Sequence, residues 1–473
     1  KTNVTLTSTT NVNNVSDGTL RSGTFSSFNI VTPTVRKKGG LYAKLDNRNV
    51  ESVNLTGSDL IINKQFTQAT SAGGVLTLNT SSISGFADSL FQPFDAERYS
   101  IHFNNDTTET LTDDQVVLSN NSKSITFSGL SVNGNNNVTV NTTLKKPSIT
   151  SKNKEYVRSH KVNVTKCVSA ATTALSGLST SVYYGMRVED EEISLNVPDV
   201  VKIVGVYESL DENALTLDTL DFPAGLSLDT TSILGEAILG DDSGAYAQIT
   251  DRKSATQLEI VYLNSERFNA GELVTFEESA IRANLQTINP GNHQDVTKHF
   301  DLDKGHRDTL LDYSRLVRKI QDGYKPTHRL LAIVDYYNVA ADDTGNVFTV
   351  NSYPKERFTK DIPHLPDGTR ATDLLDFRPR VAPFTSATAS PFAWHSRDVG
   401  ATAGNPGLVL APGEASTLGY EFYLPRIDRL VLNTRGKFEV IKGVSSLNPA
   451  LPPNEEEAMD IARITLPAYL YDV

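Results

Sequence analysis

The sequence has few of the features that define several large protein classes. Its 473 residues include one cysteine, Cys167, so no disulfide can form within a single chain. This favours folding in a reducing compartment. No apolar run approaches the roughly 18 residues that indicate a membrane-spanning helix, and the first residues lack the pattern of a secretory signal peptide. The chain starts at Lys1 without an initiator methionine, so we expect it to be a piece of a longer polypeptide.

The charge of the chain argues against a general nucleic-acid-binding protein. Its 56 acidic and 44 basic residues give a formal net charge of −12 at pH 7. The longest basic cluster, Arg36–Lys38, is much shorter than the basic stripe that follows a phosphate backbone. We therefore predict that nucleic acid is not a partner.

The sequence motifs of several common enzyme classes are also missing. There is no G-x-S-x-G nucleophile elbow, no P-loop, no dinucleotide-binding fingerprint and no zinc-ligand pattern. A carboxylate pair for glycoside hydrolysis is defined by a three-dimensional separation, and nothing in the sequence singles one out. The prediction is a non-enzymatic protein without catalytic residues, cofactor or metal. A glycan-degrading enzyme is the least favoured alternative.

Short alternating segments dominate the first part of the chain and predict a mainly β fold. In Gly74–Leu78, Ser124–Phe127 and Asn137–Asn141 apolar and polar residues alternate, which is typical of half-buried strands. Asn133-Gly134 suits the positive φ of a tight hairpin turn. We predict a β-sandwich-like domain over residues 21–150, preceded by an extended N-terminal arm over residues 1–20.

The remaining residues predict two further β domains. A larger mixed domain is expected from residues 151–209 and 289–473, and a small inserted β-barrel or meander from residues 210–288. Within the larger domain, the apolar run Val200–Glu208 predicts a strand that is buried on both faces. Two short helices are expected in the C-terminal part, at Asp308–Ile320 and Glu455–Arg463, the first with Asp308 as its cap.

The stretch Phe300–Arg380 is densest in residue types that build active sites. Two carboxylate patterns within this stretch, and a histidine pattern that overlaps its start, have to be weighed against structural roles. Asp301-x-Asp303-x-Gly305 faintly resembles a calcium loop. However, the glycine and glutamate that such a loop needs at its sixth and twelfth positions are replaced. Helix capping and ion pairs with Arg307 and Arg315 are the favoured interpretation.

His293, His299 and His306 recur at six and seven residues. A transition-metal site favours histidines at helical or strand-paired spacing, together with an acidic or thiolate partner. The sequence has no such close histidine pair. We predict solvated or hydrogen-bonded loop histidines.

Asp373 and Asp376 lie three residues apart, a spacing that allows a general acid and a general base. The alternative is that one of them pairs with Arg378 and holds the end of a strand before Pro379 keeps the chain extended. The structural interpretation is the favoured one.

Several longer strings carry a resemblance to a known protein class. They are Arg187–Val200 (RVEDEEISLNVPDV), Val206–Ser209, Ser243–Ala245, Gly305–Tyr337, Ser352–Pro354, Asp361–Pro363, Leu375–Pro379, Tyr423–Asp428 and Leu466–Leu470. In these strings the chain resembles the large virion structural proteins of contractile-tailed bacteriophages, especially those of marine cyanobacteria. The resemblance extends from about residue 95 to the end of the sequence.

The resemblance implies a wedge-like component of a phage tail or baseplate, located in the virion after synthesis in the host cytoplasm. Its implied partners are other tail or baseplate proteins and further copies of itself. Tyrosine and arginine are enriched at interface hot spots. Tyr336, Tyr337, Tyr423 and Arg426 are therefore candidate interface residues. The alternative for each tyrosine is a place in the domain's own core.

A second function stays open from the sequence. The Asn-, Thr- and Ser-rich N-terminal region suggests a receptor- or glycan-binding module of a tail fibre or fibre connector. Against it, the sequence shows neither internal repeats nor the pattern of a trimeric stalk.

Overall fold

The computed structural model describes residues 3–14, 20–31, 41–70, 73–104, 107–131, 137–169, 176–399 and 408–469. This part of the chain is mainly β and is built largely from antiparallel sheets, which confirms the predicted fold class. The predicted turn at Asn133-Gly134 and the basic cluster Arg36–Lys38 lie outside the described residues.

The described residues form thirty-three strands, numbered here in chain order. The first seventeen are β1 (Asn3–Asn14), β2 (Leu20–Val31), β3 (Tyr42–Lys44), β4 (Val50–Ala69), β5 (Leu76–Asn79), β6 (Leu90–Phe91), β7 (Ser100–Phe103), β8 (Thr108–Glu109), β9 (Val116–Ser119), β10 (Ser124–Phe127), β11 (Asn137–Ser148), β12 (Glu155–Val164), β13 (Lys166–Cys167), β14 (Ser179–Thr180), β15 (Glu192–Pro198), β16 (Val200–Ser209) and β17 (Asp218–Asp221). The others are β18 (Ala237–Gly240), β19 (Tyr246–Arg252), β20 (Gln257–Tyr262), β21 (Leu273–Phe276), β22 (Arg282–Asn284), β23 (Thr287–Asn289), β24 (His293–Asp295), β25 (Phe300–Asp303), β26 (Tyr313–Arg318), β27 (Leu330–Asn338), β28 (Leu374–Asp376), β29 (Val409–Leu410), β30 (Ala415–Tyr423), β31 (Arg426–Asn433), β32 (Phe438–Ile441) and β33 (Ala458–Leu466).

Helices are short throughout the described residues. A single α-helical turn, α1, covers Leu228–Thr231. The other helical segments are three-residue 3₁₀ turns at Thr80–Ser82, Asp113–Gln115, Thr297–His299, Ile320–Asp322, Val350–Ser352, Lys355–Arg357, Ala371–Asp373 and Trp394–Ser396.

The chain divides into two compact units. The first is drawn from Lys1–Asn153, Asp342–Arg378 and Pro406–Val473, and the second from Lys154–Ala341 and Pro379–Asn405. The boundary near residue 153 lies close to the predicted one. The division differs from the predicted one in the C-terminal third, most of which belongs with the N-terminal residues.

Strand pairing explains this membership in the first unit. Its largest sheet has the order β1-β2-β30-β4-β11-β7-β8, so β30 from the C-terminal third lies between two N-terminal strands. β28 pairs with β3 in the same way. The N-terminal residues also differ from the predicted extended arm, because β1 pairs with β2 in an antiparallel register.

β27 is the central strand of the second unit. It lies between β12 and β16 in a four-stranded sheet of order β12-β27-β16-β24. All residues from Leu330 to Tyr337 are buried, which fits a near-continuous apolar run in an interior strand. β16 confirms the strand predicted at Val200–Glu208.

The same unit contains a seven-stranded sheet of order β22-β21-β18-β19-β20-β17-β23. It spans Asp218–Asn289, close to the range predicted for an inserted module. Its own core includes Leu220, Ile238, Ile249 and Phe276.

Both predicted C-terminal helices are wrong. Tyr313–Arg318 in the first is the strand β26, which pairs with β15 and β25. Ala458–Leu466 overlaps the second and is β33, paired with β31. Local helix propensity is overridden in both segments by tertiary structure. Each segment forms backbone hydrogen bonds with strands elsewhere in the chain, β26 with β15 and β25, and β33 with β31.

Candidate functional site

The structure places two of the predicted interface residues in a core. Tyr337 has no exposed area and Tyr336 is 8% exposed. Their rings pack against Tyr156 and His160, with centroid distances of 5.2 and 5.0 Å. These tyrosines therefore pack within the second unit's own core, which is the alternative that the sequence left open for them.

The other two predicted residues, Tyr423 and Arg426, are half-buried. The Tyr423 ring packs edge-on against Tyr469 at 5.0 Å, and burial raises its pKa to about 12. Arg426 forms an ion pair with Asp428, with Nε 2.8 Å from Oδ1. The Arg426 side chain thus has a partner within its own chain, and Arg426 is the first residue of β31.

A buried charged cluster lies at one end of β27. Lys154 Nζ donates to Asp199 Oδ2, and His306 Nε2 lies 2.9 Å from Asp199 Oδ1. The side chains of Lys154 and Asp199 have no exposed area. Because Lys154 precedes β12 and Asp199 precedes β16, the ion pair joins the two strands that flank β27.

Electrostatics stabilise the ionised form of Asp199. Burial acts to raise the pKa of this carboxyl, but the charge of Lys154 and the hydrogen bond with His306 act against it. The net effect is a pKa well below the usual range. Burial lowers the pKa of the neighbouring Arg380, while the carboxylate of Asp199 acts to raise it. The cluster is a structural ion network.

All three histidines are hydrogen-bonded, as expected, but His293 is the first residue of the strand β24 and does not lie in a loop. In addition to the His306 contact, His293 Nδ1 lies 2.9 Å from the Thr216 carbonyl. His299 Nδ1 lies 3.1 Å from Asp322 Oδ2. Within the described residues, no group of three or more His, Cys, Asp or Glu side chains is arranged to hold a metal ion.

The predicted pairing of Arg378 is confirmed. Arg378 donates to Asp376 through Nε at 2.8 Å and through an Nη at 2.7 Å, and both side chains are almost fully buried. Asp373 instead accepts a hydrogen bond from the Val50 backbone N–H at 3.1 Å. The two carboxylates therefore have separate structural partners.

The aspartates of the calcium-like segment are also engaged. Asp303 forms an ion pair with Arg307, as predicted. Asp312 accepts two hydrogen bonds from Arg397, at 2.7 and 2.9 Å, and one from Arg315 at 3.3 Å. The predicted ion pairs are confirmed, but they stabilise strands and loops because the expected helix is absent.

An exposed apolar face lies on the three-stranded sheet β32-β31-β33, which we call the C-terminal sheet. The register pairs Leu430 with Val440 and pairs Leu432 with both Phe438 and Met459. Directly paired residues share a face of a sheet. Phe438 is 68% exposed, Met459 65% and Val440 49%, so this apolar face is open to solvent.

The opposite face of the C-terminal sheet carries charge. Arg429 is buried and forms an ion pair with Asp460. The register also pairs Arg429 with Arg463, whose side chain is exposed. Among the described strands, β32 and β33 each pair only with β31, so both are edge strands.

A second exposed patch surrounds the chain's only tryptophan. Trp394 is 71% exposed, and the Arg397 guanidinium lies 5.5 Å from its ring centroid. The two hydrogen bonds to Asp312 fix Arg397. Arg315 links this group to the Phe392 ring, at 4.2 Å, and Phe392 packs against the exposed Tyr184. The patch combines open aromatic rings with anchored charged groups.

Comparisons with protein-family models, curated proteins and solved structures find no match to this chain. In the described residues, no helix has the length and apolar character needed to cross a membrane.

Sequence reasoning missed the exposed residues of the C-terminal sheet. Lys437–Lys442 (KFEVIK) is recognisable as a strand from its alternation. Alternation predicts that one face of a strand is buried. In this segment the alternating residues form the edge strand β32, and its apolar side chains are exposed to solvent. Met459 could not be assigned to an exposed strand face from the sequence, because its segment, Glu455–Arg463, was predicted to be a helix.

Proposed function

We propose that this chain is a non-enzymatic structural component of a phage tail or baseplate that assembles through protein–protein interfaces. The open apolar face of the C-terminal sheet is the observation that carries the proposal. Contiguous apolar patches on soluble proteins mark interaction sites. Fully burying a side chain such as Phe438 or Met459 contributes about 1.5–3 kcal/mol, so a partner that covers this face gains substantial free energy.

The fixed loops of the second unit support a scaffold role. Glu208 is buried and accepts hydrogen bonds from the Thr327 N–H at 2.6 Å, the His328 N–H at 2.9 Å and the Tyr324 hydroxyl at 2.6 Å. One carboxylate thereby holds the segment that leads into β27. Loops that are already ordered lose less conformational entropy when a partner binds.

The sequence resemblance supports the assignment to a tail. The strings that carry it include the Asp376–Arg378 pair and His306 of the buried cluster, so the similarity concerns residues that build the scaffold. The proposed location is the virion, after synthesis in the host cytoplasm. The proposed partners are other tail or baseplate proteins and copies of this chain.

The test is the protein composition of purified phage particles. Antibodies against this chain are used for quantitative detection in gradient-purified virions and for gold labelling in electron micrographs. The expected result is a fixed copy number per particle and label on the tail. Abundant protein in the infected-cell lysate with none in washed particles contradicts the proposal.

The second candidate function is glycan binding by a receptor-binding fibre module, and the Trp394 patch is the observation that favours it. Exposed aromatic rings beside anchored polar groups are suited to contact both faces of a sugar, apolar and hydroxyl-bearing. The test is a glycan array with the full chain and with the variants Trp394→Ala and Trp394→Phe. Specific binding that Trp394→Ala abolishes and Trp394→Phe partly retains favours this function. Absence of binding by a folded chain removes it.

A further inference from the structure

β33 has an open edge and an unusual distribution of charge. Only β31 pairs with it among the described strands, so its other edge presents unpaired backbone groups. Its register with β31 shifts by one residue between Leu430 and Val431, which leaves Ile461 as an extra residue. A bulge of this kind changes which side chains share a face.

The bulge places Asp460 and Arg463 on the same face. Asp460 pairs with Val431 and Arg463 pairs with Arg429, and residues two apart on β31 lie on one face. In a regular strand, two residues three apart lie on opposite faces. Met459 and Ile464 lie on the other face in the same way, because they pair with Leu432 and Asp428.

This distribution makes β33 complementary to itself. We propose that β33 pairs antiparallel with β33 of a second copy of this chain, about a twofold axis between Ile461 and Ala462. Asp460 then lies opposite Arg463 of the second copy, and the symmetric pair repeats across the axis. Met459 lies opposite Ile464 of the second copy on the apolar face.

Two other pairings of the sheet edges are less complementary. A shift that centres the axis on Arg463 places two guanidinium groups opposite each other. A face-matched pairing of β32 centred on Glu439 places two carboxylates together. Like charges directly opposite are destabilising, so charge favours the proposed β33 register over these two pairings.

The proposed pairing joins the three-stranded C-terminal sheets of the two copies into one six-stranded sheet. The contacts across the axis cover part of Met459 and Ile461, which are 65% and 42% exposed in the single chain. Phe438 and Val440 lie on the far strand, β32, and stay open for another component. The inference rests on the proposed function, because it names a second copy as one partner of the same sheet.

The test uses the full chain, with mass measured by light scattering across a concentration series. The natural chain is expected to dimerise. The variant Arg463→Glu, which places like charges at both positions, is expected to weaken the dimer more than about tenfold. Arg463→Lys, which keeps the charge, is the matched control and retains the dimer. A natural chain that stays monomeric at all concentrations, or a dimer that Arg463→Glu leaves unchanged, overturns the pairing.

Cross-linking tests the register itself. Cysteines at directly opposed positions come within the Cα separation that a disulfide needs. Oxidation of M459C/I464C is expected to give a covalent dimer. M459C/T465C, whose cysteines lie on opposite faces, is expected to give none. Equal cross-linking of the two variants overturns the register.

The two proposals fail separately. A monomeric chain found in purified particles removes the β33 pairing and leaves the tail function. A β33-paired dimer that is absent from particles removes the tail function and leaves the pairing.

Discussion

Lys154 and Asp199 form an ion pair from which solvent is fully excluded, and it connects the two strands that flank β27. Removing one partner of such a pair leaves an uncompensated buried charge, which typically costs 3–5 kcal/mol. Lys154→Met is therefore expected to lower the free energy of unfolding by about this amount. Urea unfolding followed by circular dichroism measures it.

The control for this variant is an exposed ion pair. Lys44 pairs with Asp367, and both side chains are nearly half exposed. Lys44→Met is expected to change the stability by less than about 1 kcal/mol. Equal losses in the two variants contradict a special role for the buried pair.

The depressed pKa of Asp199 predicts acid sensitivity. In the unfolded chain an aspartate titrates near pH 3.9, and in the folded chain its pKa is much lower. The unfolded state therefore binds more protons at acid pH. The stability that this group contributes is present above the unfolded pKa and is lost as the pH falls below about 5. Asp199→Asn is expected to be less stable at pH 7 and to show a flatter acid limb, measured by thermal unfolding from pH 7 to pH 3.

Arg378 donates two hydrogen bonds to Asp376, so we expect that a positive charge at position 378 is not sufficient to keep the stability of the fold. Lysine keeps the positive charge but lacks the planar fork that donates to both carboxylate oxygens. Arg378→Lys is expected to cost about 1–3 kcal/mol of stability. The equivalent change at Arg435, in an exposed turn, is expected to have no measurable effect. Unfolding in urea compares the two, and a neutral Arg378→Lys contradicts the proposed role of the geometry.

Interactions between nearby residues were the part of the structure that the sequence could predict. Asp376 and Arg378 are two residues apart, so their pairing follows from side-chain reach. The mainly β fold followed from alternation and turn residues. The Lys154–Asp199–His306 cluster joins three distant segments, and no local pattern encodes that meeting.

The wrong helices have a similar cause. Tyr313–Arg318 has apolar residues at spacings that suit either a helix or a strand, and the choice is made by β15 and β25. Two of the four candidate interface residues are buried for another reason. Tyr336 and Tyr337 end an apolar run, and an interior strand buries both of its faces. Exposure of the C-terminal sheet depends on which other elements cover it, and strand patterns do not contain that information.

Substitution of an exposed residue of the C-terminal sheet is expected to change the surface of the protein without lowering its stability. Phe438→Ser removes a ring that is 68% exposed, so the melting temperature is expected to change little. Phe127→Ser, at a fully buried ring, is the contrasting control and is expected to destabilise the fold strongly. Differential scanning calorimetry compares them, and a large loss for Phe438→Ser shows that this ring belongs to a core.

Incorporation into particles tests the central claim, which is assembly through the apolar face of the C-terminal sheet. The natural chain and the double variant F438S/M459T, carrying distinguishable peptide masses, are supplied together during infection. Their ratio is measured by mass spectrometry in the lysate and in purified virions. The account predicts that virions are strongly depleted in the variant relative to the lysate, although the variant is folded. Equal ratios in the lysate and in the virions contradict it.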